Sequence, residues 1–337
     1  MKKNPSLFDV ARIAGVSHQT VSRVVNRKEN VSPSTRRKVY EAIERTGYKP
    51  NHSARALATG KTQSIGVIGL NSKLHGPVTM NHAVQRYSHE LGLVPQTMSV
   101  QSIQVDELRK AIRHLAERGV DGIISIVPRG AKAPSLKELN RSTIPLVLRD
   151  HPSLGDGLVV NQREVCREAI RHLIKLGHER IAFIGGDPEW FDAIQRFEAW
   201  AQFLEDLGLD NSMWWQGDWS ARSGYENCKD LLKSASPVTA IAVASDQISL
   251  GVLKALNEAK RDDISVVSMD GSEDSAFFYP SLTSVRHDFY EVGKRLVHHL
   301  AALLGKADTG SFEAAPRIDL AARESTKPPR PVPVTLR

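Results

Sequence analysis

A chain of 337 residues, 41% apolar and 25% charged, has globular composition and room for about two ordinary domains plus a small one. No apolar run reaches the ~18 residues that span a membrane, and the N-terminus lacks the apolar core of a secretory signal, so a soluble cytoplasmic protein is expected. The net charge of +7 is unevenly spread: residues 1–61 hold 13 Lys and Arg against 4 Asp and Glu, and the rest of the chain is close to neutral. A basic module on a near-neutral body is the electrostatic footprint of phosphate contact.

In chain order, Ser6 can cap a first helix, with Asp9 in its first turn where the helix dipole favours negative charge. Leu7, Val10, Ala11 and Ala14 follow the i, i+3, i+4, i+7 rule for one buried face. Gly15 permits a tight turn, and Ser17 can cap a second helix whose Val21, Val24 and Val25 face inward. His18, Gln19, Ser22, Arg23 and Asn26 then occupy the opposite face; all can donate hydrogen bonds and none is acidic. Such a face suits a major groove, where base edges are read. On periodicity alone, an ordinary helical hairpin with a polar outside reads as well. Ser32-Pro33 opens a third helix, Val39, Tyr40 and Ile43 supply its buried stripe, and Gly47 ends it.

The linker from Asn51 to Lys61 has a capping residue and good helix formers, yet is too short for a stable free helix. It is expected to be disordered alone and helical on DNA. Leu57 reads either as a residue packed on the body or as a wedge entering from the minor groove. From Gln63 onward, short β-rich runs at Ile65–Leu70, Ile123–Val127, Leu146–Leu148, Ile181–Ile184, Ala240–Ala244 and Ile264–Met269 alternate with helical stretches at about 80–92, 105–118, 162–176, 190–207, 221–233, 246–259 and 288–304. This is serial βα architecture with parallel sheets. A Gly-, Pro- and Asp-rich break near 150–162 suggests two sheets with a cleft, whose ligands lie outside the strands' carboxyl ends. No phosphate-binding glycine motif occurs. Cys166 and Cys228 are isolated and read as plain thiols. His75, His151 and His178 are scattered and read as structural. No catalytic set, metal cluster or cofactor site is expected.

Headpiece, linker and body together resemble the LacI/GalR family of bacterial transcription regulators. The motifs are Val16-Ser17-His18-Gln19-Thr20-Val21-Ser22-Arg23-Val24-Val25-Asn26, Ala54-Arg55-Ala56-Leu57-Ala58, Ile65-Gly66-Val67, Leu176-Gly177-His178, Ala244-Ser245-Asp246-Gln247 and Ile264-Ser265-Val266-Val267. Within the family the likeness is strongest to the lac branch, through Gly217-Asp218-Trp219-Ser220-Ala221 and Asp270-Gly271-Ser272-Glu273-Asp274-Ser275. The resemblance implies a helix-turn-helix headpiece over 1–50 and a hinge over 51–61. It implies a periplasmic-binding-protein-like α/β core of two parallel-sheet subdomains, 62–160 with 290–316 and 161–289 with 317–324, followed by a disordered tail, 325–337. That tail carries no leucine heptad for tetramerisation, so a homodimer is expected.

By the same resemblance His18, Gln19 and Arg23 are base readers, and Ser17, Thr20, Ser22, Asn26, Asn51, Ala54 and Leu57 complete the DNA-contacting set. A pseudo-palindromic double-stranded operator is implied, with a nucleoid location when bound. For the effector, a small sugar or glycoside, the resemblance implies Arg196 as the clamping arginine, Asp270 and Asp150 as polar groups at strand ends, Trp219 and Phe289 as stacking walls, and Leu74 and Pro77 opposite. On the residues alone, Arg196 reads as a solvated side chain, Asp270 as a loop cap, and the four apolar positions as core. Ser245 and Ile126 stand where the lac branch has asparagines, so the saccharide preference is open, as is the sign of its effect on DNA binding. A sugar-binding module without DNA function and a sugar-active enzyme are the rival readings; the basic headpiece opposes the first and the lack of a catalytic set the second.

Overall fold

The computed structural model describes residues 5–25, 31–49, 60–130, 139, 144–149, 161–234, 238–306 and 315–330. The chain separates into two compact units, Met1–Gln63 and Ser64–Arg337. In the first, α1 (Leu7–Ala14), α2 (His18–Val25) and α3 (Pro33–Thr46) enclose a core of Val10, Ala11, Val21, Val24, Val39 and Ala42. Each helix is started by its own sequence. Ser6 and Asp9 form a reciprocal capping box, with the Asp9 amide donating to Ser6 Oγ (3.3 Å) and the Ser6 amide to Asp9 Oδ2 (2.9 Å). The Thr20 amide donates to Ser17 Oγ (3.2 Å) at α2, and the Thr35 amide to Ser32 Oγ (3.2 Å) at α3. Gly15 ends α1 at φ +65°, a left-handed conformation that costs glycine little. Tyr40, expected in the buried stripe of α3, is exposed instead. The stripe runs through Val39 and Ala42, and Tyr40 follows Val39 directly, about 100° away around the helix.

The second unit holds two sheets. The first, in order β2-β1-β3-β4, is all parallel: β1 (Ser64–Leu70), β2 (Val94–Val100), β3 (Gly122–Ser125) and β4 (Leu146–Leu148). It is flanked by α4 (His75–Glu90) and α5 (Val105–Glu117). The second sheet contains β5 (Ile181–Ile184), β6 (Trp214–Trp215), β7 (Ala240–Val243), β8 (Ser265–Asp270), β9 (Thr283–His287) and β10 (Ile318–Ala321), in order β10-β9-β8-β7-β5-β6, with β10 antiparallel to β9. Its helices are α6 (Gln162–Lys175), α7 (Phe191–Asp206), α8 (Ala221–Lys233) and α9 (Asp246–Glu258).

The last helix, α10 (Phe289–Leu303), returns to the first sheet, where Phe289, Val292, Leu296, Val297 and Leu300 share a core with Ile65, Val67, Met80 and Val84. Strand β10 then rejoins the second sheet, pairing Ile318 with His287 and Leu320 with Val285.

Four strands lack a sequence signal. Strand β2 is half-exposed and carries Pro95, β6 has two residues, β9 is rich in polar side chains, and β10 is an antiparallel edge. Helix α4 starts at His75, earlier than the expected 80, because Pro77 falls in the first turn, where a missing amide hydrogen breaks no helical bond.

The tail expected to be disordered from 325 is fixed as far as Arg330. The Val266 amide donates to Ser325 O (2.7 Å), the Thr283 amide to Ser325 Oγ (2.8 Å), and the Lys327 amide to Ser265 Oγ (3.0 Å). The His178 ring bonds Thr239 Oγ1 (3.0 Å) and Lys327 O (2.9 Å), a structural role. A proline- and lysine-rich composition suggested solvated chain; the backbone groups at the starts of β8 and β9 find their partners in this segment.

Candidate DNA-reading face and effector cleft

Helix α2 divides cleanly. Val21 and Val24 are fully buried, His18, Gln19 and Arg23 are exposed, and Thr20 and Ser22 are half-buried. Ser17 and Thr20 are engaged with each other at the helix start, their hydroxyls 2.9 Å apart. The ring of Phe8, itself exposed, lies 5.1 Å from that of His18. No acidic residue stands in the first turn of α2 or α3, so the dipole ends and the basic side chains act with one sign. Asn26, Asn51, Ala54 and Leu57 lie outside the described residues, as does Asp150 of the expected effector set.

In the core, Arg196 is 2% exposed on α7. Its Nε donates to Gln162 Oε1 (2.9 Å), and its terminal nitrogens donate to Ala244 O and to Asp270 Oδ1, the latter at 3.3 Å. The reading of Arg196 as a solvated side chain is excluded by that burial. Asp270 ends β8 at φ +149°, a backbone conformation rare outside glycine. Burial pushes its carboxyl up to about 7, against the opposing pull of Arg196 and with a further push from Asp246. Asp246 is held by the Ser272 amide (2.7 Å), Ser272 Oγ (2.7 Å) and Ser284 Oγ (2.6 Å). Ser245 caps α9, its Oγ accepting from the Ile248 amide (3.2 Å).

Trp219 stands at φ +69° over Gly186, where an added Cβ would fall 2.5 Å from the indole. Its ring lies 5.3 Å from that of Trp190 and 5.8 Å from the Arg196 guanidinium carbon, and its Nε1 is buried without a hydrogen-bond partner. Arg196, Asp270, Trp219 and Ser245 thus gather at the carboxyl ends of the second sheet's strands. From the first sheet's side come Pro77 and Phe289, both buried, and Leu74, which packs with Leu70 and Ile103 against the second sheet's core. Phe289 touches Gly76 so closely that a Cβ there would sit 2.7 Å from its ring.

Three cleft groups escaped the sequence reading. Arg149, just past β4, makes an ion pair with Asp192 on α7, joining the two subdomains with both side chains buried. Beside it the Phe191 amide donates to Arg129 O (2.9 Å), and Gly130 bridges Trp190. Asp192 precedes Arg196 by four residues on the same helix, yet its partner is Arg149 from the other subdomain. His287 ends β9, and burial first, with the field of Arg196, Arg149 and His75 added, pulls its ring well below the usual imidazole range. His75, expected to be structural, packs edge-on against Phe289 at 5.8 Å. Elsewhere Cys166 and Cys228 are free, buried thiols, both pushed up to about 12 by burial. Among the described residues, no group of three or more His, Cys, Asp or Glu is placed to hold a metal, and no helix is long and apolar enough to cross a membrane.

A basic helix-turn-helix unit joined to a two-sheet core with a buried polar cleft defines a ligand-responsive DNA-binding regulator. Residues 6–51 match the family model described as bacterial regulatory proteins, lacI family, and residues 170–326 match the periplasmic binding protein-like domain. The chain is 32% identical to the lactose operon repressor of Escherichia coli (strain K12) over 97% of its own length and 92% of that protein's. It is 30% identical to catabolite control protein A of Priestia megaterium, over 96% of this chain and 100% of that one. Among solved structures, the lac repressor dimer bound to operator and the anti-inducer ONPF superposes with a TM-score of 0.85 at 31% identity, covering 96% of this chain and 100% of that one. The chain belongs to the lacI family of bacterial regulatory proteins.

Proposed function

We propose that the protein is a transcriptional repressor that occupies a pseudo-palindromic operator as a homodimer and responds to a small saccharide or glycoside bound between its core subdomains. The observation that carries this is the pairing of an exposed, acid-free α2 face on a strongly basic headpiece with a cleft of buried Arg–Asp pairs and aromatic walls. His18, Gln19 and Arg23 read base edges. Arg can bridge guanine O6 and N7, and Gln can bond adenine N6 and N7. Ser17, Thr20, Ser22 and Asn26 support them, and Asn51, Ala54 and Leu57 belong to a linker that enters the minor groove.

Two such headpieces require two-fold symmetry, and the exposed Leu250, Phe277 and Tyr279 give the core apolar area for self-association. In the cleft, Arg196, Asp270, Asp150 and Ser245 engage hydroxyls, while Trp219 and Phe289 face the apolar side of a sugar ring and Leu74 and Pro77 close the opposite wall. The effector acts only through a difference in affinity between two core arrangements; a coupling of ~1–3 kcal/mol is usual for such proteins. A cytoplasmic location, at the nucleoid when operator-bound, follows from this reading. Operator selection from random DNA, repeated with neutral saccharides, tests it. The expected result is a two-fold symmetric site whose occupancy shifts with at least one saccharide; an asymmetric consensus overturns the operator reading.

A further inference from the structure

Helix α7, which carries Arg196, is not started by its own sequence. Its N-cap is Trp190, whose side chain has no oxygen to accept from the first amides. Those amides have no partner within a helix, and Phe191 finds one across the cleft, where its amide donates to Arg129 O (2.9 Å) of the first subdomain. Further contacts follow the same seam. Gly130 forms an antiparallel bridge with Trp190, the Arg129 guanidinium carbon lies 4.3 Å from the centre of the Phe191 ring, and Gln104 Nε2 donates to Glu189 Oε2 (3.4 Å). In the first turn of α7, Asp192 is ion-paired with Arg149 from the end of β4, and both side chains are buried. Behind the seam Trp190 lies 5.3 Å from Trp219, and Arg196, Trp219 and Phe289 are buried. A ligand reaches those groups when the seam parts.

We infer that this seam is a latch, and that the Arg149–Asp192 ion pair sets the balance between a closed core and one whose subdomains have parted. With the subdomains together, each charge is out of water and is tolerated because the other neutralises it; with them apart, both recover their hydration. Loss of one partner leaves an uncompensated buried charge in the closed arrangement alone, so the core parts more readily. Removal of both charges leaves an apolar contact, and the core closes again. Because the first turn of α7 is completed from the first subdomain, parting also releases that turn, one turn ahead of Arg196. An effector that favours one core arrangement then acts with or against the latch, a consequence that rests on the effector-responsive core proposed above.

Amide hydrogen exchange on the full chain, without DNA or sugar, reads the latch directly. The variants are R149M, which keeps the length of the side chain and drops its charge, and R149M/D192L, which drops both charges. The Phe191 amide is expected to exchange at least about ten-fold faster in R149M than in the parent, and within about three-fold of the parent in R149M/D192L. The Phe183 amide, which bonds Met213 O inside the second subdomain, is expected to exchange alike in all three. Unchanged exchange at Phe191 in R149M overturns the latch, as does equal acceleration at Phe191 and Phe183, which would be loss of the whole fold. Fast exchange that persists in R149M/D192L overturns the ion pair as its basis. Should R149M fail to fold, R149K decides, since it keeps the charge and loses the planar fork: exchange at Phe191 at least about three-fold faster than in the parent supports the latch, and unchanged exchange overturns it. None of these results depends on a sugar, so the saccharide reading stands or falls separately.

Discussion

The headpiece keeps its polar and basic side chains outside a core of valines and alanines, whereas the cleft buries two guanidiniums and the carboxylates that face them. An exposed Arg23 keeps its hydration in the free protein, so it contributes almost nothing to folding and is available for the base reading proposed above. A buried Arg196 has lost its hydration already and is tolerable only while Asp270, Gln162 and Ala244 O accept its hydrogen bonds. Substitutions on the first surface should therefore change binding alone, and those in the second should change stability and binding together.

The sharpest way to break that contrast is Arg196→Ala. It strands the Asp270 carboxyl, and unfolding in urea at pH 8 is expected to show a loss of ~3–5 kcal/mol, the usual result of removing one member of a buried pair. The loss should shrink at pH 5, where Asp270 takes up a proton; a loss below ~1 kcal/mol at both pH values would place Arg196 with the surface residues.

Asp270→Asn sharpens the same point through pH. The folded carboxyl titrates near 7 and an unfolded aspartate near 3.8, so between these values the native state alone holds the proton. The contribution of this group is thus fully present below the unfolded value and is lost as pH rises through the folded one. Asparagine cannot titrate. The stability of the variant relative to the parent should rise by roughly 2–4 kcal/mol between pH 4 and pH 8, read from urea midpoints. A pH-independent difference would remove the raised carboxyl from the account.

The smallest effect belongs to the headpiece. Arg23→Ala should leave the unfolding midpoint unchanged and cost ~1–3 kcal/mol at a single base pair, seen as flattened discrimination across operator variants. A uniform loss over all variants would make Arg23 a phosphate contact.

The same contrast governs what could be read from the chain. The faces of α1 and α2 were legible because Val10, Val21 and Val24 recur at helical spacing and Ser6, Gly15 and Ser17 mark the ends. The βα alternation was legible because β1, β3, β5, β7 and β8 are runs of buried aliphatic residues. The Arg149–Asp192 pair was not, since its members lie 43 residues apart and nothing local joins them. Strand β9 was missed because its buried Thr283, Ser284 and His287 are polar and find their place only against neighbouring strands, and His287 was missed with it. The segment from 325 to 330 looked like solvated chain because its bonds, to Val266, Thr283 and Ser265, are made to residues some 40 to 60 positions earlier, and nothing in its own composition marks them.

The threading of the core sets an order on its synthesis. The headpiece helices end at Thr46, so that unit is complete as soon as it leaves the ribosome. The first sheet waits for α10, whose last residue is Leu303, and the second waits for β10 and for the segment that bonds Val266 and Ser265. A nascent chain of 280 residues therefore carries a finished three-helix fold and two unfinished subdomains. In the life of each molecule the helix-turn-helix fold is finished long before either core subdomain, while two-fold operator reading and effector sensing both wait for the completed core.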